Sequence, residues 1–288
     1  MKARIIKIVS KEYTLLTDQG ERLDAIVMGK VRRQDAPVAG DLVESEFVNG
    51  RWVIQKILPR RNRLIRPAVA NVDQALIIMS VKDPDFSPAL IDRLSILIIT
   101  HAGIQPILCV TKCDLGISPD FEERIREYEA GEMPVIRTAK GSLDPSLASL
   151  FSGRITVLTG QSGAGKSTLL NELEPSFHLA TQEISKALGR GRHTTRHNEL
   201  HEVCGGLVAD TPGFSSIDFS HIEARDLAAC VPDFVPYLGG CRFNDCIHEN
   251  EPGCSIKEAV AEGKICRVRY ENYLQVLEMI RQRKEKYL

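Results

Sequence analysis

The sequence has no apolar run approaching the ~18 residues that a membrane span needs. It also has no secretory hydrophobic region after Met1, where the chain enters a strand-like stretch at once. Membrane insertion and secretion are therefore not expected. Internal repeats and low-complexity tracts are missing too, which excludes a solenoid. Net charge is almost absent: 37 Lys and Arg stand against 38 Asp and Glu. What is present is a chain of 288 residues, enough for about two domains and a small third. Its eight cysteines, with no signal segment before them, point to reduced thiols or metal ligands rather than a disulfide framework.

The absent net charge hides a segregation. Residues 1–68 carry 14 basic and 8 acidic side chains, and residues 263–288 carry 7 and 3. The middle holds 16 and 27, so a polyanion would meet the ends rather than the centre. Ordinary solvated charge is the competing reading for Lys30, Arg32, Arg33 and the tail.

Residues 2–9, 12–17, 21–28, 41–48 and 51–57 are short and β-prone, with Gly20, Gly40, Asn49 and Gly50 between them. Five strands in so short a span predict a small barrel of the OB type. Arg60, Arg61, Arg63 and Arg66, broken by Pro59 and Pro67, read as a basic linker. After it, apolar strands at 74–80, 105–110, 134–137, 155–159 and 206–209 alternate with helical stretches, one carrying Leu90, Ile91, Leu94, Leu97 and Ile98 on one face. That rhythm predicts an α/β domain with a mostly parallel sheet. From about 221 the chain turns helical and irregular, ending in a helix with Val268, Tyr273, Leu277 and Ile280 as its apolar stripe. The expected domains are 1–66, 67–220 and 221–288.

The sharpest motif is Gly160-Gln161-Ser162-Gly163-Ala164-Gly165-Lys166-Ser167-Thr168, a P-loop between an apolar strand and a helical run. Chance would produce the pattern in roughly one chain in a hundred of this length. Its glycines let backbone N–H groups turn onto phosphates, Lys166 neutralises the β- and γ-phosphates, and Ser167 offers a hydroxyl to Mg²⁺. Asp210-Thr211-Pro212-Gly213 follows a strand, where Asp210 can hold Mg²⁺ through water and the Gly213 N–H can sense the γ-phosphate. Between them the polar, glycine-rich stretch 181–197 reads as a switch loop, with Thr194 or Thr195 as the Mg²⁺ and γ-phosphate ligand.

Thr111-Lys112-Cys113-Asp114 resembles the N-K-x-D signature of GTPases, whose aspartate accepts from guanine N1–H and N2–H₂, an arrangement adenine lacks. Thr111 replaces the usual asparagine, which bears on the rigidity of the base pocket but leaves the discriminating carboxylate. Thr138-Ala139-Lys140 resembles the companion S-A-K loop, with the Ala139 N–H toward guanine O6. Both base motifs precede the P-loop, the reverse of the order in small GTPases. The chain therefore reads as a circularly permuted GTPase, a rearrangement that surface termini permit.

Phe214 stands where Ras-like enzymes place a glutamine that orients water, so slow intrinsic hydrolysis is expected. His193 is the catalytic candidate, with a solvated histidine or a phosphate or RNA contact as the alternative. Three of the eight cysteines crowd into Cys241-x4-Cys246-x-His248-x5-Cys254, the Cys₃His set of a closed structural zinc site. Free buried thiols are the alternative there, and Cys230 and Cys266 are alternative ligands. Cys109, Cys113 and Cys204 read as small strand-associated hydrophobes.

The whole constellation resembles the ribosome small subunit-dependent GTPases, bacterial proteins with an OB-fold, a permuted GTPase domain and a C-terminal zinc domain. The resemblance rests on 84–94 (PDFSPALIDRL), 160–171 (GQSGAGKSTLLN), 189–197 (GRGRHTTRH), 210–216 (DTPGFSS) and 241–254 (CRFNDCIHENEPGC). It implies GTP hydrolysis to GDP and phosphate stimulated by the 30S subunit, late maturation of that subunit through 16S rRNA contacts, and a switch-loop histidine suspected of catalysis. Zinc, and magnesium with GTP, are the expected cofactors, in a cytoplasmic monomer. An rRNA-binding module in which GTP only stabilises a conformation is the second reading.

Overall fold

The computed structural model describes residues 1–29, 31, 35–143, 146–175, 198–210 and 217–285. They fall into two compact units. The first comprises Met1–Ala75, Gly141–Thr159 and Lys166–Pro212, the second Leu76–Lys140, Gly160–Gly165 and Gly213–Leu288.

Five strands open the first unit: β1 (Lys2–Val9), β2 (Glu12–Leu16), β3 (Arg22–Val27), β4 (Leu42–Val48) and β5 (Arg51–Ile57). Their order is β1-β2-β3-β5-β4, and β4 returns to β1 through the pairs Lys2↔Glu44 to Arg4↔Leu42, closing the barrel. Alternation along each strand sends Ala3, Ile5, Tyr13, Leu15, Ala25, Val43 and Ile54 into one core. This is the OB-like barrel that the strand spacing predicts.

The segment read as a basic linker is instead ordered and internally paired. Arg63–Ile65 (β6) and Ala68–Ala70 (β7) form an antiparallel hairpin. Arg60 forks onto the fully buried Asp41, Nε to Oδ1 at 2.6 Å and Nη2 to Oδ2 at 2.8 Å, and reaches Asp35 at 2.5 Å. Arg61 bonds Asp73 at 2.5 Å. A buried carboxylate needs a bidentate partner, and the chain supplies it from this stretch.

Beyond the hairpin, the chain passes through β8 (Gln74–Ser80), α1 (Pro88–Ala102), β9 (Ile107–Thr111), α2 (Pro119–Ala130), β10 (Val135–Arg137), α3 (Ser146–Phe151), β11 (Ile155–Gly160), α4 (Lys166–Leu173), β12 (Asn198–Glu199), β13 (His201–Val203) and β14 (Gly206–Asp210). In the first unit, β11 and β14 run parallel, with β13 antiparallel to β14. The two-residue β12 adds to the barrel edge at Lys7↔Glu199 and Ile8↔Asn198, reinforced by a 2.8 Å Lys7–Glu199 ion pair.

In the second unit, β8, β9 and β10 are parallel, and β8 is buried along its whole length, as a doubly covered strand requires. Helix α1 begins at Ser87, whose hydroxyl accepts from the Leu90 N–H, with Pro88 at its first position, and ends at Gly103 in the left-handed conformation. Ile91, Leu94, Leu97 and Ile98 are buried as their spacing predicts, and Leu90 is half-buried.

The C-terminal part of this unit has two short 3₁₀ turns, Leu227–Cys230 and Pro232–Tyr237, then α5 (Ser255–Ala261) and α6 (Arg267–Glu285). They enclose Phe219, Leu227, Phe234, Ile256, Tyr273 and Leu277. The buried stripe of α6 contains Tyr273, Leu277 and Ile280, but Val268 is only half-buried and Arg269 takes its place. Asp92 and Asp233 compensate the arginine's charge, which lets that turn of the helix face inward. Among the described residues no helix is long and apolar enough to cross a membrane.

Candidate nucleotide site and metal centre

The P-loop starts where β11 ends. A Cβ at Gly160, where φ is +133°, would lie 2.0 Å from the Ile78 carbonyl oxygen, so only glycine lets the chain leave the strand there. Gly163 and Gly165 also hold positive φ, and α4 begins directly at Lys166. Ser162, Gly163, Ser167 and Thr168 are exposed, Gln161, Gly165 and Lys166 half-buried, and Ala164 buried.

The base-recognition residues meet this loop within the second unit. Thr111, 4% exposed at the end of β9, donates its hydroxyl to the Ala164 carbonyl at 2.5 Å. The residue that replaces the usual asparagine thus still ties its own loop to the P-loop. Lys112 has φ +59°, and its ammonium donates to the Asp83 carbonyl. Asp114 is exposed, and its Oδ1 accepts the Lys140 N–H at 3.2 Å. The Cys113 N–H donates to the Thr138 carbonyl at 3.1 Å, and the Thr138 N–H to Val110 at 2.8 Å. The two base motifs are therefore one hydrogen-bonded piece, with Ala139 between its anchors.

Asp210 closes β14, its backbone in register with Leu158 of β11. Both residues stand toward the C-terminal ends of their strands. His193, Thr194, Thr195, Gly213 and Phe214 lie outside the described residues, as do Lys30, Arg32 and Arg33.

The second constellation is the cysteine cluster. The donor atoms of Cys241, Cys246, His248 and Cys254 all lie within 4.8 Å of one another. His248 Nδ1 is 3.5, 3.4 and 3.4 Å from the sulfurs of Cys241, Cys246 and Cys254, and Cys241 and Cys254 are 3.9 Å apart. A tetrahedral ion with sulfur at about 2.3 Å and nitrogen at about 2.0 Å separates two sulfurs by about 3.8 Å and sulfur from nitrogen by about 3.5 Å. The four residues fit such an ion. Cys230 stands apart, 3.3 Å from the Thr100 hydroxyl, and Cys266 is also outside the group, so neither is a ligand.

The surroundings hold the ligands in place. Tyr270 donates to the His248 carbonyl at 2.8 Å and Tyr273 to the Ile247 carbonyl at 2.7 Å, while Glu251 accepts the Ile247 and Glu249 N–H groups. Burial pushes the Cys246 thiol up to about 12 and raises Cys254. Burial also opposes ionisation of Cys241, but hydrogen bonds from Ser255 and the other thiols outweigh it and bring that thiol down. Burial lowers His248, favouring the neutral imidazole that ligates a metal. Of the other cysteines, Cys109 is buried on β9 as expected, whereas Cys113 and Cys204 are half-buried in turns rather than strands.

Sequence reasoning missed Asp83, Asp92, Tyr128, Asp233 and Arg269. Only Arg269 had a readable signal: four residues before Tyr273 and eight before Leu277, it falls on the buried stripe of α6.

Comparison with known proteins agrees with this geometry. The family model "RsgA GTPase" matches residues 57–220. "Small ribosomal subunit biogenesis GTPase RsgA" of Enterococcus faecalis is 44% identical, covering 100% of this chain and 98% of that protein. The protein of the same name from Bacillus subtilis is 40% identical over 99% of both. Among solved structures, "YloQ, a circularly permuted GTPase" matches with TM-score 0.81 and 35% identity, covering 98% of this chain and 95% of that one. YjeQ from Thermotoga maritima matches with TM-score 0.83 and 32% identity, covering 97% and 98%. With its base motifs ahead of its P-loop on one framework, the chain is a circularly permuted GTPase and belongs to the RsgA GTPase family.

Proposed function

We propose that this GTPase acts on the small ribosomal subunit, hydrolysing GTP to GDP and phosphate when bound to 30S during late maturation, through contacts to 16S rRNA. The observation that carries the guanine reading is the Thr111 bond to Ala164, which joins the Asp114 loop to the phosphate loop in one piece. The names of its relatives and the basic N-terminal segment support the ribosomal partner.

In this reading Gln161 to Thr168 cradle the phosphates with backbone N–H groups, and Lys166 offsets the charge on the β- and γ-phosphates. Asp114 accepts from guanine N1–H and N2–H₂, and the Ala139 N–H meets O6. Ser167, Thr194 or Thr195, and Asp210 through water would hold magnesium, which when bound draws charge from the phosphate oxygens. A phenyl ring cannot polarise water, so Phe214 leaves slow intrinsic turnover, and His193 orients the attacking water once the subunit is engaged. Zinc at Cys241, Cys246, His248 and Cys254 is structural, because four protein ligands leave no open position. Residues 1–66 form the rRNA-binding OB domain, 67–220 the GTPase domain and 221–288 the zinc domain, in a cytoplasmic monomer.

Multiple-turnover GTP hydrolysis titrated with purified 30S subunits tests the proposal. A saturable rise in turnover is expected. A flat titration would replace it with the reading in which GTP only stabilises an rRNA-binding conformation.

A further inference from the structure

Arg269 is 3% exposed and brings a charge into the interior of the second unit. Its guanidinium lies 3.5 Å from Asp92 Oδ1 and 3.2 Å from Asp233 Oδ1, and Asn272 donates to Asp92 Oδ2 at 2.6 Å. Buried ion networks are costly to desolvate, and well-packed apolar residues often replace them without loss of stability. Stability alone is therefore a poor account of this one, and its contacts point to another.

Those contacts converge on the start of α1. The guanidinium stacks over the Tyr128 ring at 4.9 Å, and the Tyr128 hydroxyl donates at 3.3 Å to the carbonyl of Pro88, the first residue of α1. The same ring meets Phe86 edge-on, with centroids 6.3 Å apart. Asp92 sits on the next turn of α1. Arg269 thus meets α1 directly at Asp92, and reaches the loop 81–87 only through Tyr128, which packs on Phe86.

That loop borders the nucleotide motifs. Its Asp83 carbonyl accepts the Lys112 ammonium, the Ser80 hydroxyl donates to the Pro84 carbonyl at 2.8 Å, and Pro84 Cδ lies 3.8 Å from the Cβ position of Gly163. We propose that Arg269 is a positioning residue for the guanine nucleotide: acting through Asp92 and Tyr128, it fixes the loop that holds Lys112 and borders the P-loop. The proposal rests on reading residues 111–114 and 160–168 as the GTP site. Without this support, the loop spends part of its time with Lys112 unheld, and the apparent affinity falls by the fraction that stays competent. A competent fraction of about one tenth weakens binding about tenfold. Its contacts are to Lys112 of the base-recognition motif and to Gly163, so the loop acts on nucleotide affinity and turnover at saturating GTP should be spared.

The test measures binding of a fluorescent GDP analogue, and KM and kcat for GTP, in the full chain and in Arg269→Lys and Tyr128→Phe. Folding is checked by circular dichroism. Arg269→Lys should raise Kd and KM together by about tenfold, and Tyr128→Phe, which removes only the hydroxyl, by a few-fold, with kcat within twofold of the parent. A purely structural arginine would lower the melting temperature without separating KM from kcat. Unchanged Kd in the folded variants, or in Tyr128→Phe alone if Arg269→Lys does not fold, overturns the positioning role while the nucleotide site stands. Failure of the parent chain to bind the analogue overturns both, at the level of the site.

Discussion

Stripping the metal from Cys241, Cys246, His248 and Cys254 should unfold the C-terminal part of the second unit while the barrel persists. Residues 241–254 contain no helix or strand, and ordering a residue costs about 1–2 kcal/mol of backbone entropy, so this segment opposes folding by roughly 14–28 kcal/mol. Few backbone bonds offset it, among them Arg242 N–H to Gly253 O at 2.9 Å and Cys246 N–H to Phe243 O at 3.3 Å. Structural zinc in small domains supplies about 10–16 kcal/mol, against a net domain stability of about 5–15 kcal/mol. Its loss is therefore as large as the margin itself. Cys254 also belongs to the core that contains Phe234, Tyr273 and Leu277, so the loop cannot detach without opening that core. The assay is a chelator titration followed by metal content, helical circular dichroism and fluorescence of the single tryptophan. Trp52 packs against the barrel core, so its signal should hold while helical signal falls, with one zinc released per chain. A chain purified without zinc, or one that keeps its helical signal after complete removal, would refute the reasoning.

Three further outcomes are expected. Thr111→Val deletes the donor to the buried Ala164 carbonyl, an uncompensated loss of about 1–3 kcal/mol; fluorescent-nucleotide Kd should rise about tenfold, Thr111→Ser should stay within about threefold of the parent, and equal affinity of all three would show that the tie does not support the pocket. Burial pushes the Asp92 carboxyl up to about 6 against the pull of Arg269 and Asn272, so the folded state holds this proton more tightly than the unfolded one. Its contribution to stability is then complete below about pH 4 and lost as pH rises through 6; in urea unfolding the parent should lose about 3 kcal/mol relative to Asp92→Asn between pH 4 and 7, and parallel profiles would sink the assignment. His193→Ala should lower 30S-stimulated turnover about a hundredfold with GDP affinity intact, a typical share for a positioned base, whereas unchanged stimulated turnover would remove it from catalysis.

What the sequence made legible is what neighbouring residues settle among themselves. The barrel strands declare themselves by alternation, because each side chain's face follows from its own position. The P-loop does so because only glycine can occupy Gly160 against the Ile78 carbonyl, and the candidate metal centre because its four donor residues lie within one short segment. Charges that answer each other across the chain were the opaque part. Arg60 read as part of a basic linker, and its place is explained only once the fork onto Asp41 is seen. Strand β12 escaped because two residues carry no period; it exists through the edge that β1 offers.

Arg269 marks the boundary between these cases. Its spacing to Tyr273 and Leu277 already placed it on the buried face of α6, and its charge argued the other way. An isolated buried guanidinium is prohibitively costly, so burial at this position requires compensating charge from elsewhere in the chain. The structure supplies that charge through Asp92 and Asp233, one from the helix after β8 and one from the 3₁₀ turn at Pro232–Tyr237. A helical period that runs through a charged residue is thus a prediction of distant carboxylates rather than a break in the stripe. In this chain, that rule leads from the C-terminal helix to the loop that holds Lys112.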